Sequence, residues 1–260
     1  MMQTVLFHQT IFGPIHSRRL GTSLGVNLSP NDGKICSFDC LYCEAGLNAQ
    51  GPGKTGFPSR EEVKAQLEEK LVTMLKNGER LDVITFSGNG EPTMHPAFAE
   101  IINDTVALRD KYFPDVKISV LSNATRLTDK NVCEALKKVD NNILKLDSAI
   151  TPTMRTIDRP NSRDFTAENL IEQLKEFGDK CIIQTMLLRG TFDGKIIDNT
   201  TPEEIDALIE AYRHIGPAQV MLYSIDRKTP VETLRKIEKD ELQQIADKMK
   251  SCGIPVASFS

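Results

Sequence analysis

No apolar run in this 260-residue chain approaches the ~20 residues that a membrane-spanning helix needs, which excludes a bilayer helix and a membrane partner. The opening residues MMQTVLFH lack the basic segment and long apolar stretch of a secretion signal. That absence points to a reducing cytoplasm, where the six cysteines read as thiols and ligands rather than disulfides. Positive charge is not in surplus. With 32 Lys and Arg against 36 Asp and Glu, the net charge of −4 gives no global attraction to nucleic acid, although a local basic surface remains open. Low-complexity tracts and dividing linkers are missing too, so residues 1–260 read as one domain with an N-terminal arm over 1–22 and a short edge strand within 252–260.

What is present alternates short β-branched runs with amphipathic helices. Strands are expected over residues 25–28, 82–86, 116–121, 142–147, 181–188 and 218–225, with the edge strand at 254–257. Between them, Ser59 and Glu62 form a capping box ahead of apolar positions Val63, Leu67, Leu71 and Leu75. Helices are also expected over 97–111, from Thr128 to 139, from Thr166 onward, from Thr201 with Pro202 at its first turn to 215, and over 240–251. Six βα units in series imply a parallel sheet with right-handed crossovers. Six strands are too few for a closed eight-stranded barrel, so the expected fold is an α/β (β/α)6 partial TIM barrel with a loop carrying three cysteines after its first strand. Chemistry in such barrels sits at the C-terminal strand ends.

Those ends carry the informative residues. Cys36, Cys40 and Cys43 follow the first strand with C-x3-C-x2-C spacing. Three thiolates leave a tetrahedral zinc site short of a ligand, but hold three corners of a cubane iron–sulfur cluster with one iron open to a small molecule. Gly88, Asn89, Gly90, Glu91 and Pro92 follow the second strand, and Ser122 and Asn123 end the third. Period-two alternation puts Leu144 and Leu146 on one face of the fourth strand and Lys145 and Asp147 on the other, inside the barrel. A buried lysine and carboxylate are either a structural ion pair or groups that touch cofactor or substrate. The same alternation turns Gln184, Met186 and Tyr223 into the lumen, and Lys145, Asp147 and Tyr223 are the candidate catalytic residues.

Cations gather in the mouth loops: Arg126, Arg155, Arg159, Arg163, Arg189, Arg227 and Lys228, with Arg18 and Arg19 on the arm. They suggest an anionic substrate, with Arg18, Arg159, Arg189 and Arg227 as candidate contacts, or else solvated loop charges. The segment Gly51-Pro52-Gly53-Lys54-Thr55 mimics a phosphate-binding loop but lacks its first glycine, and reads as a flexible loop. His8, His16, His95 and His214 show no metal-ligand spacing and read as surface or loop residues, with His16 the one to watch.

Cys36-Ser37-Phe38-Asp39-Cys40-Leu41-Tyr42-Cys43, then Gly88-Asn89-Gly90-Glu91-Pro92, then Ser122-Asn123 resembles the radical S-adenosylmethionine (SAM) superfamily over nearly the whole chain. The stretches around Gly13–Gly21 and 222–227 look like its wybutosine-synthase-like branch. The resemblance implies a [4Fe–4S] cluster on Cys36, Cys40 and Cys43, with SAM chelated to the open iron. It implies that Gly88, Asn89, Gly90 and Glu91 hold the SAM amino group, that Tyr42 lies near the adenine, and that Ser122, Asn123, Gln184 and Met186 complete the cofactor site. Reductive cleavage would yield a 5′-deoxyadenosyl radical for hydrogen abstraction, fed by an electron donor such as flavodoxin or ferredoxin. Two departures stand out. Asn89 occupies a position where glycine is common, and no cysteine precedes Cys36, whereas wybutosine synthases carry a second cluster on upstream cysteines. Cys133, Cys181 and Cys252 lack ligand spacing and read as buried thiols. The substrate stays open among RNA, peptide and small metabolite. The rivals are an electron-transfer or iron–sulfur binding protein, normally ligated by four cysteines, and a structural zinc protein with a distant fourth ligand.

Overall fold

The computed structural model describes residues 5–17 and 19–259. Ten strands form one twisted sheet: β1 (Ile11–Ser17), β2 (Gly21–Val26), β3 (Val83–Phe86), β4 (Lys117–Ser122), β5 (Asn141–Lys145), β6 (Ile182–Phe192), β7 (Lys195–Asp198), β8 (Gln219–Ser224), β9 (Arg235–Lys236) and β10 (Val256–Phe259). The main path runs β1-β2-β3-β4-β5-β6-β8-β10, and every pairing from β2 to β10 along it is parallel. The partial TIM barrel expected from the alternation is therefore present. Its helices are α1 (Arg60–Asn77), α2 (Phe98–Tyr112), α3 (Lys130–Leu136), α4 (Thr151–Ile157), α5 (Ala167–Lys175), α6 (Pro202–Ile215) and α7 (Lys239–Ser251).

The two faces of the sheet differ chemically. Leu24, Val26, Ile84, Phe86, Ile118, Val120, Leu144, Ile183, Leu187, Val220 and Leu222 point to the helices and build the main core with Leu67, Leu71, Ile101, Ile102 and Leu208. The lumen face is polar at its floor. Ser23 Oγ meets Thr85 Oγ1 at 2.8 Å, and Asn141 Nδ2 donates to Ser119 Oγ at 2.8 Å. Higher up, Phe38, Leu41, Tyr42, Met186 and Leu188 form a second apolar cluster that includes Cys40.

Several expectations shift. The first parallel strand begins at Gly21 rather than residue 25, and part of the arm is a strand: β1 pairs antiparallel with β2. Gly13, Pro14 and mixed exposure hide its periodicity. Asp129, not Thr128, caps α3, and the helix stops at Leu136. Helix α4, the continuation of β6 to Phe192, and the short partners β7 and β9 have no counterpart in the expected elements. The edge strand lies at Val256–Phe259, parallel to β8.

Candidate active site

The cysteine loop leaves β2 through Asn27, whose buried side chain organises the turn. Asn27 Oδ1 accepts from Ser29 N at 3.2 Å and from Asn89 N at 3.0 Å, tying the loop after β3 to the end of β2. The second tie is a parallel bridge between Ile35 and Gly90, with Glu91 N donating to Ile35 O at 3.0 Å. A third comes from the segment after α4. Leu41 N donates to Ile157 O (2.9 Å), Asp39 N to Asp158 O (3.0 Å), and Asn161 N to Ser37 O (2.9 Å). The cysteine loop is thus held by backbone hydrogen bonds along both sides, the kind of support that fixes ligand positions.

Glu91 is 3 % exposed and acts as the hub at the ends of β3 and β4. Its Oε1 accepts from Thr93 N (3.1 Å), Thr93 Oγ1 (2.6 Å) and Ser122 Oγ (2.8 Å), and its Oε2 from Asn123 N (2.6 Å). Burial pushes its carboxyl up, and these donors pull it back toward the charged form. Asn123 then reaches the cysteine loop: Nδ2 donates to Ser37 Oγ at 2.9 Å and lies 3.5 Å from Cys36 Sγ. Asn89 turns away. Its amide accepts from Phe7 N (2.8 Å) and donates to Phe7 O (2.8 Å) and Pro30 O (2.9 Å), clamping the N-terminal segment. That side-chain role accounts for asparagine where a second glycine is common.

Beneath Cys40 lies a buried charge network. Lys145 Nζ is 3.0 Å from Asp147 Oδ2 and 3.6 Å from Asp158 Oδ1. The Tyr42 hydroxyl bonds both Lys145 and Asp147, and Lys145 also sits 4.6 Å from the Tyr42 ring centroid. Cys40 Sγ lies 3.4 Å from Asp158 Oδ1. Burial opposes the lysine's charge, but Asp147, Cys40 and Asp158 outweigh it and hold its pKa well above the usual value. Burial, with Asp147 beside it, pushes Asp158 well up, and likewise the Tyr42 phenol. Met186 N donates to Asp147 Oδ1 at 2.9 Å, and Asn199 Nδ2 donates to Asp147 O and Met186 O, each at 2.8 Å. Lys145 and Asp147 are therefore an ion pair inside the barrel, as the alternation implied.

Tyr223, Gln184 and Met186 face the same lumen. Burial pushes the Tyr223 phenol up to about 12. Asp158 and Asn199 escaped the sequence reading. Asp158 follows the unrecognised α4, for which Pro152 in the first turn was the available signal. A lone asparagine such as Asn199 carried none.

The mouth arginines are largely committed to this chain's own acids. Arg159 Nη2 pairs with Asp39 at 3.3 Å, Arg227 Nη1 with Glu44 at 2.6 Å, and Arg189 with Glu241 at 2.6 Å and Asp198 at 3.4 Å. Arg155 binds the carbonyls of Ser162, Arg163 and Phe165. Arg18 lies outside the described residues. The Gly51–Thr55 segment wraps an internal anion: Lys54 N, Thr55 N and Thr55 Oγ1 all donate to the Asp32 carboxylate. His16 is exposed, whereas His95 is buried. Cys181 is buried, and Cys133 and Cys252 pack against the main core.

The three loop cysteines are free thiols, two of them half-buried and Cys40 buried. Burial pushes Cys36 up to about 12 and Cys40 well above the usual thiol value. Among the described residues no three His, Cys, Asp or Glu side chains gather closely enough to hold a single metal ion. The donor set fits a cluster on other grounds. Three soft thiols share one loop, an amide donor is aimed at Cys36 Sγ, and the loop after β3 is packed so closely on it that a Cβ at Gly90 would meet Ile35 O at 1.9 Å.

Residues 31–199 match the family model described as the radical SAM superfamily. A "GTPase Obg" of Brachyspira hyodysenteriae is 30% identical over 90% of this chain, which spans about a third (32%) of that protein. A UPF0026 protein of Synechocystis sp. is 30% identical, covering 85% of this chain and 77% of its own. Among solved structures, a radical SAM methyltransferase from Sphaerobacter thermophilus superposes with a TM-score of 0.66 at 14% identity, over 91% of this chain and 65% of that one. TYW1 with a lysine–pyruvate adduct bound gives a TM-score of 0.59 at 16% identity, over 90% and 75% of the respective chains. Among the described residues no helix is long and apolar enough to cross a membrane.

Proposed function

The chain belongs to the radical SAM superfamily, and from that premise we propose that it is a single-cluster enzyme in which Cys36, Cys40 and Cys43 hold a [4Fe–4S] cluster and SAM binds beside it. We read residues 1–260 as one catalytic unit working in the cytoplasm. When bound, the two cofactors supply reductive cleavage of SAM and a 5′-deoxyadenosyl radical for hydrogen abstraction. This chain's residues position them. Gly88, Asn89 and Gly90 offer backbone to the SAM amino group at close approach, with Glu91, Ser122 and Asn123 fixing that backbone and the Cys36 side of the loop. Met186 lines the cofactor berth, and Tyr42 closes it. Lys145, Asp147 and Tyr223 keep a charged, water-poor wall beneath Cys40, with Lys145 protonated. Such a wall orients polar groups of cofactor and substrate without reorganising during the reaction.

The observation that carries the reading is the convergence of the Cys36–Cys43 loop, the Gly90–Ile35 bridge and Asn123 on one end of one parallel sheet. Superfamily enzymes need a reductant and a substrate, and a flavodoxin or ferredoxin suits the first role here. The substrate class, whether RNA, peptide or small metabolite, is read as anionic. The test is anaerobic reconstitution. Brown protein that converts SAM to 5′-deoxyadenosine with reductant is expected. Colourless protein with one tightly bound zinc would overturn the reading, as would a Cys40→Ala variant cleaving SAM at the parental rate.

A further inference from the structure

Resting on the reading of the lumen as a substrate-binding radical SAM site, we propose that Arg19, with Tyr223 and Gln184, recognises an oxyanion of the substrate, a carboxylate or a phosphate. Arg19 lies in the turn between β1 and β2, at one margin of the parallel sheet, while Tyr223 is on β8 near the other. The Arg19 guanidinium nevertheless stands over the Tyr223 ring, 5.1 Å from its centroid, so the side chain crosses the open seam of the barrel.

The turn that carries it is fixed on both sides. Ser17 Oγ accepts from Arg19 N at 3.3 Å and Leu20 N at 3.2 Å. Asp82 Oδ2 accepts from Thr22 N at 2.8 Å, and Gly21, at φ 81°, passes so close that a Cβ would lie 2.6 Å from that oxygen. These contacts fix the backbone that carries Arg19, so less of its freedom is left to lose when the guanidinium captures a ligand.

Its partners are the telling part. Arg159, Arg189 and Arg227 each face a carboxylate of this chain. Among the described residues no carboxylate pairs with half-buried Arg19, whose guanidinium faces the Tyr223 ring instead. Its guanidinium donates no hydrogen bond among the described residues, so its N–H groups are left to an oxyanion while the Tyr223 ring holds one side of the cation. Gln184 supplies a second donor group. It is 8 % exposed, and its side-chain amide makes no hydrogen bond among the described residues, which leaves that amide available to a ligand in the lumen. The register places it one inward position below Tyr223 on the adjoining strand: Gln184 pairs with Met221, and Met186 with Tyr223. Tyr223 packs against the apolar cluster that contains Tyr42 and Cys40, so an anion held here lies on the side of the lumen that faces the cysteine loop.

The test is titration calorimetry of the cluster-loaded protein with inorganic phosphate and with succinate. Stronger binding of phosphate assigns a phosphoryl group, and stronger binding of succinate a carboxylate. Arg19→Gln should weaken the preferred anion by at least about tenfold, the loss expected for a charge-assisted contact. Gln184→Leu should weaken it less, and Arg213→Gln, on the outer face of α6, should change nothing. Binding of neither anion by the parent, or parental affinity in Arg19→Gln, overturns the proposal. Should Arg19→Gln fail to fold by circular dichroism, Gln184→Leu is decisive, and parental affinity there overturns the site. SAM cleavage without substrate is measured alongside. Lost anion binding with parental cleavage supports the site, whereas no cleavage in the parent overturns the enzyme reading instead.

Discussion

Gly90 lies in a parallel bridge with Ile35, one residue before Cys36, so closely that a Cβ would stand 1.9 Å from the Ile35 carbonyl oxygen. The glycine motif and the cysteine loop are therefore one mechanical unit, because neither backbone can move without the other. Relieving the overlap in Gly90→Ala must push residues 35 and 36 aside at a cost of about 1–3 kcal/mol. The expected result is folded protein with much less bound iron, measured by iron content against circular dichroism. Parental iron content would show that the bridge does not set the thiol positions.

The Lys145 network predicts a large stability effect. Lys145→Met leaves Asp147 and Asp158 buried without their cation, and breaking a buried pair this way costs about 3–5 kcal/mol. Urea denaturation of the parent and variant measures it. By linkage, a lysine whose folded pKa is raised stabilises the fold below its unfolded pKa of ~10.4, and that contribution fades as pH rises through the higher folded value. The difference between parent and variant should therefore hold across neutral pH and shrink only in strong alkali.

His95 predicts a dependence at the acid end. Its Nε2 donates to Pro58 O at 2.7 Å while Nδ1 accepts from Ala97 N at 3.1 Å, which defines a neutral ring. Burial lowers its pKa below the usual value. The unfolded chain then binds the extra proton first, so stability falls as pH drops below ~6.5 toward the folded pKa. Denaturation midpoints at pH 5 and pH 7.5 should differ less in His95→Gln than in the parent.

Asn89 predicts a local effect. Asn89→Ala removes both hydrogen bonds to Phe7 and the one to Pro30, worth roughly 0.5–1.5 kcal/mol each. Faster amide exchange at Phe7 and easier proteolysis of the N-terminal segment are expected, with the parallel sheet intact. Unchanged exchange at Phe7 would show that the stacking of Phe7 on Phe12, with ring centroids 3.9 Å apart, suffices to hold the segment.

The sequence by itself determined the parallel βα order, the capping of α1 and α6, and the inward turn of Lys145, Asp147, Gln184 and Tyr223. Capping chemistry and period-two alternation are local, and they survive wherever the segment packs. It also placed the cysteine loop, the glycine motif and Ser122-Asn123 at one end of the sheet, because successive parallel strands must end together. Only the tertiary structure decided which charges are spent. Arg159, Arg189 and Arg227 read alike in the chain as mouth cations, yet each finds a carboxylate from a distant loop or helix, while Arg19 crosses the seam to an aromatic ring. Asp158 beneath Cys40 and Asn199 behind Asp147 were equally invisible. Pairing of buried polar groups depends on elements brought together from far along the chain, and no local pattern encodes it.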